Sequence, residues 1–77
     1  MKKAQIELGG IYHNGKEKWR YSERQVIGIG PEFLLYSGQE NTDCLRYKVI
    51  QGYRLGEDGN ITRQQFARWA KGKVKND

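Results

Sequence analysis

His13 and Cys44 are the only imidazole and the only thiol in this 77-residue chain. A structural zinc site takes about four such ligands and a catalytic one about three, so His and Cys alone build neither. No local signature marks the two as a nucleophile pair. His13 precedes Asn14-Gly15 and reads as a solvated hairpin residue; Cys44 reads as a small buried filler at the start of a strand. Gly28-Ile29-Gly30 matches part of a glycine-rich phosphate fingerprint, but Pro31 and a further extended segment follow where a helix is required. These glycines are read instead as points of barrel curvature. Glu57-Asp58 falls in a turn and Glu40 and Asp43 in a polar loop, whereas acid–base work needs carboxylates in a cleft with separated pKa values. No cofactor is expected, and the chain reads as a non-enzymatic binding module.

The signal that rises above this background is basic and aromatic. Fourteen Lys and Arg stand against nine Asp and Glu, a formal charge of +5. Such a balance favours an anionic partner or plain solubility and says nothing about fold. Lys16, Lys18, Arg20 and Arg24 cluster early in the chain. Arg46, Lys48 and Arg54 are expected on the solvent face of a long strand, and Arg63, Arg68, Lys71, Lys73 and Lys75 on a helix and tail. Cations bind phosphates without sequence preference, and exposed aromatics stack on unpaired bases. The expected contacts to DNA or RNA are therefore Lys18, Arg20, Arg24, Arg46, Lys48 and Arg54. Trp19 and Tyr21 interleave with the first group, but core packing is the expectation for both. The competing function is a protein-interaction module, an adaptor or inhibitor of another protein. Its groove would be lined by Tyr12, Tyr36, Tyr47 and Tyr53, with Trp19 as a wall. Open strand edges would allow a weak homodimer beside the monomer.

These residues need strands to position them. Residues 25–36 are the most apolar run, split by Gly30-Pro31, and read as two strands joined by a tight connection at the centre of a small barrel. Residues 6–13 read as a strand bent at Gly9-Gly10. Asn14-Gly15 is a hairpin signal, and residues 16–21 would return along that strand. Residues 37–43 form a polar loop. In residues 44–55, Leu45, Tyr47, Val49, Tyr53 and Leu55 alternate with Arg46, Lys48 and Arg54, the period of a half-buried strand. Residues 57–60 read as a turn. Thr62 then caps a helix with Gln65 three residues on, and Ile61 and Phe66 are placed as a hydrophobic staple. Phe66, Trp69 and Ala70 share one helix face, with Gly72 as the stop.

The fold class expected is mainly β: one small domain over residues 1–77, an SH3-like barrel of about five antiparallel strands with a short C-terminal helix. Residues 71–77 are expected as a flexible basic tail. An OB-like barrel is the alternative, but its helix would come between strands three and four. A chain this short buries roughly 60% of its unfolded surface, so aromatic side chains must supply much of the core. One cysteine, no apolar stretch after Met1-Lys2-Lys3 and no run near the ~20 apolar residues of a span lead to a cytoplasmic, non-membrane expectation.

The chain also resembles small uncharacterised phage or prophage proteins of bacteria. The resemblance is carried by Gly10-Ile11-Tyr12-His13-Asn14-Gly15-Lys16, Arg24-Gln25-Val26-Ile27, Leu45-Arg46-Tyr47 and Phe66-Ala67-Arg68-Trp69-Ala70. It implies a fold and a phage or mobile-element setting, and it carries no site residues over.

Overall fold

The computed structural model of the protein describes residues 1–74. Five antiparallel strands form one sheet: β1 (Ile11–His13), β2 (Ser22–Ile29), β3 (Cys44–Gly52), β4 (Asp58–Thr62) and β5 (Gly72–Lys73). Their order across the sheet is β4-β3-β2-β1-β5. One helix, α1 (Arg63–Trp69), follows β4 directly. The sheet is not closed: β4 and β5 are its two edges, so the drum expected from the sequence is an open sheet covered on one face.

That face is set by alternation and by one irregularity. Leu45, Tyr47 and Val49 of β3 point inward; Val26 pairs with Tyr47 and Ile29 with Leu45. Val26 and Ile29 are three residues apart, which alternation would place on opposite faces. A register shift between Val26 and Gly28 absorbs Ile27 and returns Ile29 to the inner side. The core is Ile6, Tyr12, Val26, Leu45, Phe66, Ala67 and Ala70, with Ile29, Tyr47, Ile61 and Trp69 packed against it.

The helix forms where local signals place it. The Thr62 hydroxyl accepts from the Gln65 N–H at 3.1 Å, and the staple pair Ile61 and Phe66 both join the core. Phe66 is fully buried and meets Tyr12 edge-on, with ring centroids 5.6 Å apart. Gly72 is not the helix stop. Ala70 ends the helix in extended conformation, and the Lys71 N–H donates to the His13 carbonyl at 2.8 Å. Sheet bonds to β1 thus capture residues 71–74, which were expected as tail; residues 75–77, with Lys75, lie outside the described residues.

Several expected strands are absent. Pro31–Phe33 is a 3₁₀ turn, and the Leu35 N–H is taken by the Gln39 side chain at 3.0 Å. Residues 33–36 therefore sit in a loop, with no hairpin at Gly30-Pro31. Residues 16–21 do not return along β1. The Asn14 side chain holds this segment as a closed loop, donating to the Arg20 carbonyl at 2.8 Å and accepting from the Lys16 and Ser22 N–H groups at 3.2 Å each. A short amide side chain that offers backbone groups an alternative to the ladder has this effect. The turn expected at 57–60 lies earlier, over residues 53–57, and Asp58–Thr62 pairs with β3 instead.

The N-terminal segment is pinned by side chains. The Tyr12 ring folds back over Gly10, where a Cβ would lie 2.6 Å from its hydroxyl oxygen. That hydroxyl donates to the Gln5 carbonyl and accepts from the Glu7 N–H, both at 2.8 Å. Tyr12→Phe leaves two backbone groups without partners. It is expected to cost about 1–3 kcal/mol, read as a lowered midpoint of thermal unfolding; an unchanged midpoint would show that water replaces the hydroxyl.

Candidate nucleic-acid interface

One end of the sheet gathers two of the exposed aromatic rings, Trp19 and Tyr53, with several unpaired basic groups. Ser22 at the start of β2 lies opposite Gly52 at the end of β3, so the 14–21 loop and the 53–57 loop meet there. Between them runs a groove of about 740 Å³, walled by Lys16, Lys18, Trp19, Arg20, Tyr21 and Tyr53. Trp19 is 79% exposed and Tyr53 78%. The core placement expected for Trp19 is thus overturned. The alternating pattern put it on an inner face, but the loop tied by Asn14 turns it outward.

The backbone beside each aromatic is unusual. Among the described residues, only two other than glycine occupy the left-handed region: Lys18 at φ 54° and Arg54 at φ 69°. One adjoins Trp19 and the other Tyr53. Strained conformations of this kind persist where surrounding structure enforces them, and they concentrate at binding sites. The Arg20 guanidinium lies 5.0 Å from the Trp19 ring centroid and that of Arg54 5.5 Å from Tyr53. Such contacts hold an exposed ring in place.

Gly52 is the hinge of this end. Its φ is +99°, and a Cβ there would run into the backbone carbonyl of Tyr21. Gly52→Ala is expected to destabilise the protein by about 1–3 kcal/mol and to shift the amide resonances of Tyr21 and Ser22. Resonances that stay in place would show that the loop does not rest on this contact.

The cations divide by whether a carboxylate already holds them. Arg46 is paired with Asp58 at 2.9 Å and bonded to Asn60 at 2.7 Å. Arg63 is paired with Asp43 and Lys73 with Glu7, each at 2.9 Å; Arg54 meets Glu57 at 3.5 Å. Among the described residues Lys16, Lys18, Arg20, Arg24, Lys48, Lys2, Lys3, Arg68 and Lys71 have no such partner. The first three line the groove.

Arg24 sits around the corner on the inner face of β2. Its Cζ lies 4.5 Å from the Tyr47 centroid and 4.2 Å from that of Trp69. Burial lowers its pKa from the ordinary guanidinium value, a shift opposed by Tyr47. At the groove wall, the hydrogen bond to the Glu23 carboxylate raises the Tyr21 phenol above its ordinary pKa.

Of the six basic residues read from the sequence, Lys18, Arg20, Arg24 and Arg54 thus come together at this end. Arg46 and Lys48 do not: they alternate with Tyr47 and Val49 and leave from the opposite face. The five aromatics of the alternative groove also separate. Tyr12 is core, Tyr47 is half-buried under Arg24, and Tyr36 lies in the 34–43 loop; only Trp19 and Tyr53 share a surface. Lys16 and Trp69 are the members that sequence reasoning left out of the candidate set. Lys16 was legible in the basic cluster with Lys18 and Arg20. Trp69 carried no signal beyond its core-facing helix position.

Among the described residues no group of three or more His, Cys, Asp or Glu is placed to hold a metal, and no helix is long and apolar enough to cross a membrane. Compared with known proteins, the chain matches no family model, no curated sequence and no solved structure.

Proposed function

We propose that the protein is a non-enzymatic module that binds single-stranded DNA or RNA in the groove between the 14–21 and 53–57 loops. The observation that carries this reading is the pair of exposed rings, Trp19 and Tyr53, beside three cations with no carboxylate partner, Lys16, Lys18 and Arg20. The rings offer faces for unpaired bases, and the cations track the phosphates. The five-stranded antiparallel sheet with one short helix suits an opened SH3-like plan, with the binding surface at the loop end. A phage or mobile-element setting, as the sequence resemblance implies, and the cytoplasmic setting expected from the single cysteine both accord with such a module.

Three or four neutralised phosphates give a salt slope of about −2 to −3, at about 0.7 per contact on a single strand. Affinity for a radiolabelled oligothymidine in filter binding is therefore expected to fall about 20- to 60-fold between about 50 and 200 mM salt. Combined Lys16→Glu, Lys18→Glu and Arg20→Glu abolishes binding, while Lys48→Glu on the opposite face leaves it unchanged. No retention at low salt, or equal retention by the triple variant, overturns the reading.

A second reading is favoured by a separate surface. Leu35 and Tyr36 are exposed beside Thr62, Gln64 and Gln65, next to β4, an edge strand with an unpaired side. A host protein docking there would be captured after nuclease treatment and lost on Tyr36→Glu. Capture that vanishes with nuclease would exclude it.

A further inference from the structure

Adjoining the groove is a second pocket of about 340 Å³, into which Arg20, Arg24 and Arg54 all face, with Ser22 and Asn14 beside them. Arg24 is its fixed point. The Tyr47 and Trp69 rings flank the guanidinium, which leaves only its in-plane edges for hydrogen bonds. The Nε is buried and has no partner, and among the described residues Arg24 makes neither a side-chain hydrogen bond nor an ion pair. A guanidinium held this way is pre-organised: its fork of donors already points in a set direction and loses little freedom when it is engaged. Two carboxylates also line the pocket, but Glu57 is held by Arg54 and Asp58 by Arg46. Neither competes for Arg24.

We propose that this pocket binds a phosphate monoester, received by the donor fork of Arg24 and enclosed by Arg20 and Arg54. Planar, bidentate donors match a phosphate better than a point charge does. The monoester comes either from a free nucleotide or from the 5′-phosphate end of a strand whose bases lie along Trp19 and Tyr53. Only the second source rests on the proposed groove, because Arg20 and Tyr53 belong to both surfaces.

Calorimetric titration of the full chain with inorganic phosphate, then with a mononucleotide, tests the pocket by itself. Both are expected to bind. Arg24→Lys keeps the charge but loses the fork, and is expected to weaken both at least 10-fold, whereas Lys48→Ala, on the opposite face, leaves inorganic phosphate unaffected. Should Arg24→Lys not fold, Arg20→Gln with Arg54→Gln serves in its place, since those side chains are outside the core. A 5′-phosphorylated oligonucleotide that binds more tightly than its 5′-hydroxyl counterpart, with the gain lost in Arg24→Lys, assigns the site to strand ends. Equal binding of the two oligonucleotides assigns it to free nucleotides. The proposal is overturned if millimolar phosphate and mononucleotide give no heat, or if the arginine variants bind them as the wild type does. Failure of oligonucleotides alone would remove the groove and leave the pocket standing.

Discussion

Trp19→Ala is expected to weaken binding of an unpaired oligonucleotide about 5- to 140-fold. Stacking of one base on an aromatic ring contributes about 1–3 kcal/mol, and each 1.4 kcal/mol is about tenfold in affinity. The ring is 79% exposed, so its removal opens no cavity. The thermal midpoint should change little, since exposed substitutions usually stay within about 0.5 kcal/mol. This separation is what gives the prediction its force. Loss of binding with an unmoved midpoint places the base on the ring; loss of both means that Trp19 holds the loop. Trp19→Phe should recover part of the affinity, because a smaller ring still offers a face. Tyr53→Ala should act in the same direction, and Lys48→Ala not at all. Filter binding at one fixed salt concentration, beside thermal unfolding of each variant, decides among these outcomes.

Phe66→Ala carries the largest expected effect on stability. The ring is fully buried, with centroids of Tyr12, Tyr47 and Trp69 at 5.6, 6.1 and 5.4 Å. Truncation removes that contact and leaves a void that three rings of fixed geometry cannot close. The usual cost is about 3–5 kcal/mol, against about 5–15 kcal/mol for the whole stability of a typical domain. At about 4–8 °C per kcal/mol for a chain of this size, the midpoint should fall by at least about 12 °C. Phe66→Leu fills much of the space and should lose less than half as much. A fall of only a few degrees in Phe66→Ala would mean that α1 is not the cover of this sheet. There is a functional consequence too. Phe66 supports Trp69, and Trp69 supports Arg24, so Phe66→Leu should also blunt phosphate binding relative to its modest loss of stability.

The parts of the fold legible in the sequence are those set by local chemistry. The Thr62 cap, the Ile61–Phe66 staple and the Phe66–Trp69–Ala70 stripe lie within a few residues of one another, and α1 forms where they say. The alternation of Leu45, Tyr47 and Val49 survives in β3 because both flanking strands pair with it. The rest turned on distant partners. Asp58–Thr62 has turn-like composition, with Gly59 and Asn60 disfavoured in strands, yet the ladder with β3 extends it. Gly72–Lys73 looked like the end of a helix until β1 offered it bonds. The 33–36 block has the composition of a strand, but Pro31 begins a turn and Gln39 takes the Leu35 N–H.

The candidate interface was legible as charge and not as shape. Lys18, Arg20, Arg24 and Arg54 could be named from the sequence. That Arg46 and Lys48 leave from the other face follows from the period of β3, which holds only as far as Gly52: Tyr53 and Leu55, expected on the packed face with Leu45, Tyr47 and Val49, are exposed in the 53–57 loop. What hid Trp19 was the hydrophobicity of tryptophan itself: pattern reasoning sends such a residue inward. The determinant of its outward pose is the Asn14 amide, which binds backbone groups on both sides of it in sequence.

The two tryptophans make the protein its own optical reporter. Trp19, bathed in water at the groove, should emit at long wavelength and be quenched or shifted when a base covers it. Trp69, pressed against the Arg24 guanidinium, should emit to the blue and respond to the neighbouring pocket. Trp69→Phe and Trp19→Phe would therefore leave single-emitter proteins, each reporting one of the two adjoining surfaces without any attached dye.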